Sequence, residues 1–275
     1  MKRLILFVLI VLIADLVPGQ SPYHLNWKTD GLLMGSSFVM AGITLAFNSQ
    51  LVPLSLQEIE ELDPQDINRF DRGATKHLSS KASRRSDYGE RIPFVIGAIS
   101  PFIIPVISDN SESYGNEMLT LLLIWSETNL VASTGTQMVK SWTKRTRPYA
   151  YNPDVSVEEK GTIIARKSFI SGHTSTSAAN TFFLAKVFSD YFPDSKYKPL
   201  VWGVAAAIPA WTGIERYLAG KHFPTDIITG YAFGALCGYF IPHMHKTRKA
   251  NSELGLAIYP YSSFNQSGLQ AVLHF

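Results

Sequence analysis

The stretch Glu215–Asp226, ERYLAGKHFPTD, sets an arginine, a histidine and an aspartate at fixed intervals: Arg216, five residues, His222, three residues, Asp226. Pro224 suits the first turn of a helix, because it has no N–H to satisfy there. That places His222 at a helix entrance and Asp226 about one turn along, on the same face. A carboxylate accepting from one imidazole nitrogen fixes the tautomer and makes the other nitrogen a better nucleophile. Arg216 stands upstream at the end of a preceding helix, and its planar fork suits a phosphate or carboxylate. A second stretch, KSFISGHTSTSAAN from Lys167 to Asn180, offers Ser171 as an N-cap. Helix N-termini present free N–H groups to anions, and Gly172 admits a ligand close to the backbone. His173 stands where an acid would reach a bound phosphate ester. The third stretch is KSWTKRTRP, Lys140 to Pro148. Lys140 and Arg147 lie about two helical turns apart, so their heads fall on a similar face with Lys144 between them, and Pro148 stops the helix. Each stretch alone also reads as ordinary structure: a helix cap, a loop-to-helix start, a basic helix end satisfying its own carbonyls.

In chain order the three read K-x6-RP, SGH and R-x5-H-x3-D. This coincidence resembles the type 2 phosphatidic acid phosphatase family, which shares a site plan with vanadium haloperoxidases and bacterial class A acid phosphatases. The match runs from Lys140 to Asp226. It implies a phosphomonoesterase that needs neither metal nor other cofactor. Lys140, Arg147 and Arg216 would hold the phosphate and stabilise transition-state charge. Ser171 and the Gly172 backbone would add hydrogen bonds. His222 would attack phosphorus to give a phosphohistidine, Asp226 would orient it, and His173 would protonate the leaving oxygen and then activate water. A bell-shaped pH–rate profile follows from such a pair of histidines. Two positions depart from the family pattern: Ile170 stands where proline is usual before SGH, and Glu215 stands where serine is usual before the arginine. A carboxylate at that point would repel phosphate unless Glu215 turns away to pair with a basic residue.

The elements that must position these groups read as helices. Gly31–Gln57, Ile92–Ser108, Ser168–Ala185, Pro199–Ile214 and Ile227–His245 carry no Asp, Glu, Lys or Arg, and Met118–Val139 carries one, Glu127. All are rich in small residues, which let helices approach closely. The expected fold class is all-α: a six-helix bundle of the type 2 phosphatidic acid phosphatase kind, membrane-associated, with a short C-terminal β-hairpin. Residues 20–250 would form the helical domain and 251–275 the hairpin tail, with its turn near Asn265–Gly268. Ser55–Asp87 is a charged interlude, opened by Ser55 and Glu58 at capping-box spacing. It reads first as a solvated excursion, and second as a flap near the site or the membrane surface. Tyr149 and Tyr151 would either touch a substrate or pack their loop onto the helices.

Composition bounds the function classes. Charged residues make up 17% and apolar ones 46% of the 275, with a net charge of +3. No long basic run interleaved with aromatics occurs, so nucleic acid is not an expected partner. The single cysteine, Cys237, allows no internal disulfide and reads as a small buried apolar residue. Residues 1–19 combine Lys2 and Arg3 with an apolar run from Leu4 to Ala14, as a signal peptide or N-terminal anchor does. The expected location is the cell envelope, at a bacterial inner membrane or in the periplasm. The expected reaction is hydrolysis of a phosphomonoester or pyrophosphate, on a phosphorylated lipid or a small phosphomonoester. A soluble periplasmic acid phosphatase, a vanadium-dependent haloperoxidase and a membrane structural or transport protein are the competing readings.

Overall fold

The computed structural model describes residues 21–108, 114–247, 255–263 and 266–274, the last two ranges as backbone only. The expected signal or anchor, residues 1–19, lies outside the described residues. The described residues hold eight α-helices rather than six. Six are long: α1 (Trp27–Asn48), α3 (Ser80–Ile107), α4 (Tyr114–Thr143), α6 (Gly172–Tyr191), α7 (Lys198–Leu218) and α8 (Pro224–Met244). Two short ones, α2 (Leu56–Glu60) and α5 (Val157–Lys160), sit in connecting segments too polar to show helical periodicity. Ser55 and Glu58 cap α2 reciprocally, each satisfying the other's backbone N–H. Strands β1 (Gly255–Ser263) and β2 (Gln266–His274) pair antiparallel, Gly255 opposite His274 and Ser263 opposite Gln266.

Helix α6 is the axis of the bundle, packed against α8, α7, α3 and α4. Its closest neighbour is α8, and the sequence shows why. Gly230, Gly234 and Gly238 recur every fourth residue and so share one face. A Cβ there would stand 2.5 Å from the Ser171 carbonyl oxygen, 2.1 Å from that of Ser175 and 2.3 Å from that of Ala179. Only glycine allows α8 to lie on the α6 backbone at this distance. The interior of α6 is also polar. Asn180 accepts from Trp125 Nε1 at 2.9 Å and donates to Asn129 Oδ1 at 2.8 Å, binding α6 to α4 through satisfied buried groups. Away from the site the bundle closes on Leu121, Ile124, Phe183, Val187, Phe188 and Ile241, with Cys237 buried among them.

Three helices, α1, α3 and α8, are long and apolar enough to cross a membrane by length and composition. Helix α1 turns most of its apolar surface outward: Leu32, Phe38, Val39 and Leu45 are all more than 60% exposed. Helix α3 holds Pro93, Pro101 and Pro105 in its interior, a pattern that membrane helices tolerate where neighbours re-satisfy the freed carbonyls.

Candidate active site

The three sequence stretches meet at one end of the bundle. Ser171 caps α6, with its backbone N–H donating to the Asp226 carbonyl at 2.9 Å, so the start of α6 is tied to the first turn of α8. Lys140 comes from the last turn of α4 and reaches the same point, since a Cβ on Gly172 would stand 3.2 Å from its Nζ. Arg216 comes from the last turn of α7. Lys140, Arg147, Arg216, Ser171, His222 and Asp226 are all buried, His222 and Asp226 completely; His173 is a quarter exposed.

Arg147 gets there by a different route from the one its spacing implies. Helix α4 ends at Thr143, and Lys144 takes a left-handed φ of 49°. Arg147 is therefore not on the Lys140 face of a helix, and Lys144 does not lie between them on one. The chain leaves α4 and turns back, and the Arg147 N–H donates to the Ala165 carbonyl at 2.7 Å. The two cations converge through a chain reversal. Pro148 opens the following 3-10 turn instead of ending α4.

The His222–Asp226 pair is close but is not the expected hydrogen bond. Nδ1 of His222 lies 3.5 Å from Oδ2 of Asp226, and neither ring nitrogen has a hydrogen-bond partner among the described residues. The carboxylate is already engaged. Oδ2 accepts from Ser168 Oγ at 2.6 Å and from the Phe223 N–H at 2.9 Å, and Oδ1 accepts from Arg145 Nη1 at 2.5 Å. Phe223 is the N-cap of α8, so Asp226 also satisfies a free donor of its own helix.

Sequence reasoning missed the groups that hold these side chains. Arg145 bridges Asp226 and the buried Asp71, its Nη2 standing 2.8 Å from Asp71 Oδ2. Asp71 in turn accepts from the Thr225 N–H at 3.0 Å and its hydroxyl at 2.7 Å, at the start of α8. His173 Nε2 meets two carboxylates of α3, Asp87 Oδ1 at 2.9 Å and Glu90 Oε2 at 3.2 Å. Arg216 Nη1 donates to Ser86 Oγ at 3.3 Å. Glu215 pairs with Arg85 at 2.9 Å, the pairing with a basic residue expected of a carboxylate at this position. Thus Ser55–Asp87 is more than a solvated excursion: Asp71, Arg85, Ser86 and Asp87 pack onto the site. The readable signal was Asp87 and Glu90, three apart and hence on one helical face. Tyr149 packs in the interior of its loop with Ala150 and Ala165, and the Lys221 ammonium lies 4.4 Å from its ring centroid.

Burial and mutual repulsion set the protonation of these groups. Burial first, then Arg147, Arg216 and Lys140, push the His222 imidazole well below its usual range, so it is neutral. The same forces hold Lys140 down to about 7. His173 is pushed down to about 4 by burial and by Arg216, with Asp87 opposing. Arg147 Nε and Arg216 Nε are buried without a hydrogen-bond partner among the described residues. Cations packed this tightly, with donors unspent, form a cradle complementary to a multiply charged anion.

The family model of the PAP2 superfamily matches residues 119–250. Over 124 residues the chain is 30% identical to phosphatidylglycerophosphatase B of Bacillus subtilis, covering 45% of this chain and 55% of that protein. It is 45% identical over 71 residues to the lipid A 1-phosphatase of Rhizobium johnstonii, covering 26% of this chain and 25% of that one. It is 36% identical over 73 residues to the lipid A 4'-phosphatase of Porphyromonas gingivalis, covering 26% and 28%. The chain thus spans between a quarter and about half of the length of these relatives. Among solved structures it is similar to the transmembrane PAP2 type phosphatidylglycerolphosphate phosphatase from Bacillus subtilis. That likeness covers 88% of this chain and 94% of that one at 21% identity, with a TM-score of 0.43. The residues matched by the PAP2 superfamily model, 119–250, include all of Lys140 through Asp226.

Proposed function

We propose that this protein is a phosphoric monoester hydrolase of the cell envelope that removes phosphate from a membrane lipid through a phosphohistidine on His222. The observation that carries this reading is the cradle: three buried basic side chains, two of them arginines with an unspent Nε donor, around a neutral, fully buried imidazole. Lys140, Arg147 and Arg216 bind the phosphoryl oxygens and neutralise the charge that grows in the transition state. Ser171 and the Gly172 N–H, at the start of α6, complete the anion site. His222, held neutral, attacks phosphorus, and the ester oxygen leaves with a proton from His173. Asp226 orients His222 and stabilises the imidazolium form. In the second half His173 takes a proton from water, and the hydroxide displaces His222 to release inorganic phosphate. A bound phosphate dianion offsets the cations that depress His173, and Asp87 and Glu90 beside it favour its protonated form.

The lipid part of the reading is supported by α1, α3 and α8, long and apolar enough to span a bilayer, and by the names of the relatives, which act on phosphatidylglycerophosphate or lipid A. Residues 1–19 would serve as the export signal or anchor, with 20–250 as the catalytic domain. The test is phosphate release by the purified protein and its His222→Ala variant, on a lipid phosphate in detergent and on a soluble monoester. The expected result is a loss of at least about 10³-fold in the variant and a preference for the lipid in the parent. Equal activity of the variant would remove His222 from the mechanism. Preference for the soluble ester would assign the protein to the acid phosphatases.

A further inference from the structure

At the other end of α8, about 30 Å from His222 by the helix rise, lies a second cluster of ionisable side chains. His245 is the C-cap of α8 and is 1% exposed. Its Nε2 stands 2.8 Å from Oδ1 of Asp30, in the first turn of α1, and 3.2 Å from Oε2 of Glu127, midway along α4. Glu127 is the one charged residue in Met118–Val139, and it is 3% exposed. The proposed reaction uses none of the three.

Without a metal, the hydrogen bonds and charge of this cluster close only if both His245 and Glu127 take up a proton. His245 Nδ1 is 2.8 Å from the Ile241 carbonyl oxygen, which can only accept, so Nδ1 carries a proton. A neutral imidazole then directs the Nε2 lone pair at two carboxylates, lone pair against lone pair. An imidazolium would leave one negative charge in excess while both carboxylates are ionised. Oε2 of Glu127 is buried and lacks a hydrogen-bond partner despite its nearness to Nε2. Among the described residues no lysine or arginine pairs with Asp30 or Glu127: nearby Lys186 and Lys246 both go to Asp190. The three groups offer one ligand atom each, all within 4.8 Å of one another.

We propose that Asp30, Glu127 and His245 bind a divalent transition-metal ion of the zinc type, which fastens α1 to α4 and the end of α8. One imidazole nitrogen and two carboxylate oxygens form a ligand set that such ions accept. A ligating histidine typically donates its other N–H to a carbonyl or carboxylate, which is the role of the Ile241 carbonyl. A +2 charge cancels both carboxylates and takes up the unsatisfied Oε2. The site is structural, because it lies at the far end of the bundle from His222 and Lys140. It matters most for α1, which packs chiefly on α4 among the long helices.

The test uses the full chain in detergent, stripped with a chelator and titrated with Co²⁺ and Zn²⁺. The expected result is one equivalent of metal per chain, a visible d–d absorption with Co²⁺ that Zn²⁺ abolishes, and a Zn²⁺-dependent rise in Tm of roughly 5–10 °C. Glu127→Gln and His245→Gln should each lose the absorption and the Tm response, while phosphate release by the parent persists in chelator. If the parent binds no metal and its Tm does not move, the cluster is a metal-free ion pair and the proposal fails. It fails equally if both variants keep full binding, because the metal then sits elsewhere. Because the readout is binding and melting on the parent protein, it is independent of whether the phosphatase reading holds.

Discussion

At the scale of single residues the site holds one conflict: three basic side chains are packed together, and the proposed reaction needs two histidines to work among them. The conflict sets a pH signature. In the free protein His173 is held down to about 4, yet the proposed reaction needs it protonated. Bound phosphate offsets Arg216 and Lys140, which raises it. The alkaline limb of kcat/KM, which reports the free enzyme, should therefore lie at lower pH than the alkaline limb of kcat. Asp87→Asn removes the carboxylate that opposes the depression, so it should move the kcat/KM limb lower still. Pre-steady-state and steady-state rates across pH check this, and coincident limbs unmoved by Asp87→Asn would refute the assignment of the acid. Arg145 carries a second residue-scale prediction. It is the shared partner of Asp71 and Asp226, both almost fully buried. Arg145→Ala strands two carboxylates, and should cost about 2–4 kcal/mol, the low side of the range for buried pairs because the guanidinium is a quarter exposed. Thermal melts of the variant and of Arg145→Lys measure it; a change below about 0.5 kcal/mol would mean the bridge is dispensable.

At the scale of elements, the geometry of the site is the geometry of α6 against α8. One helix starts with Ser171, Gly172 and His173, the other with His222 just ahead of it and Asp226 in its first turn. Their separation is fixed by the glycine face of α8. Gly234→Ala would bring a Cβ to 2.1 Å from the Ser175 carbonyl oxygen, a backbone atom that cannot rotate away. The helices must part, at a cost of about 1–3 kcal/mol, and the shift is transmitted to the end that holds His222 and Ser171. Both a lower Tm and a reduced kcat are expected, and unchanged values for both would show that the bundle absorbs the methyl. The spacing of these glycines was plain in the sequence, and so was the small-residue character of α6. Which face they met was not, because periodicity gives a helix its stripe but does not name its partner.

At the scale of the whole molecule, the surface of α1, with large apolar side chains exposed along its length, is hard to reconcile with water alone. The protein should remain in the membrane pellet after alkaline carbonate washing and leave it only with detergent. Release by carbonate would refute the membrane-spanning reading of α1. The long helices could be anticipated from uncharged runs bounded by polar clusters. The two short helices could not, since each is a single turn or so, fixed by a local cap.

The sequence by itself determined the chemical groups on offer: the residue types, their order and their spacing around Arg216, His222 and Asp226, Ser171–His173, and Lys140 with Arg147. These are local features, written in runs short enough to read. Only the tertiary structure decided how they meet. Arg147 joins Lys140 by a chain reversal rather than a helical face. Asp226 gives its oxygens to Ser168, Arg145 and a backbone N–H before His222. Asp71, Asp87 and Glu90, from segments far ahead in the chain, hold the arginine and the histidine in place. The reason is physical: a buried charge must find partners, and those partners are chosen by proximity in the folded bundle, a quantity that spacing along the chain does not carry.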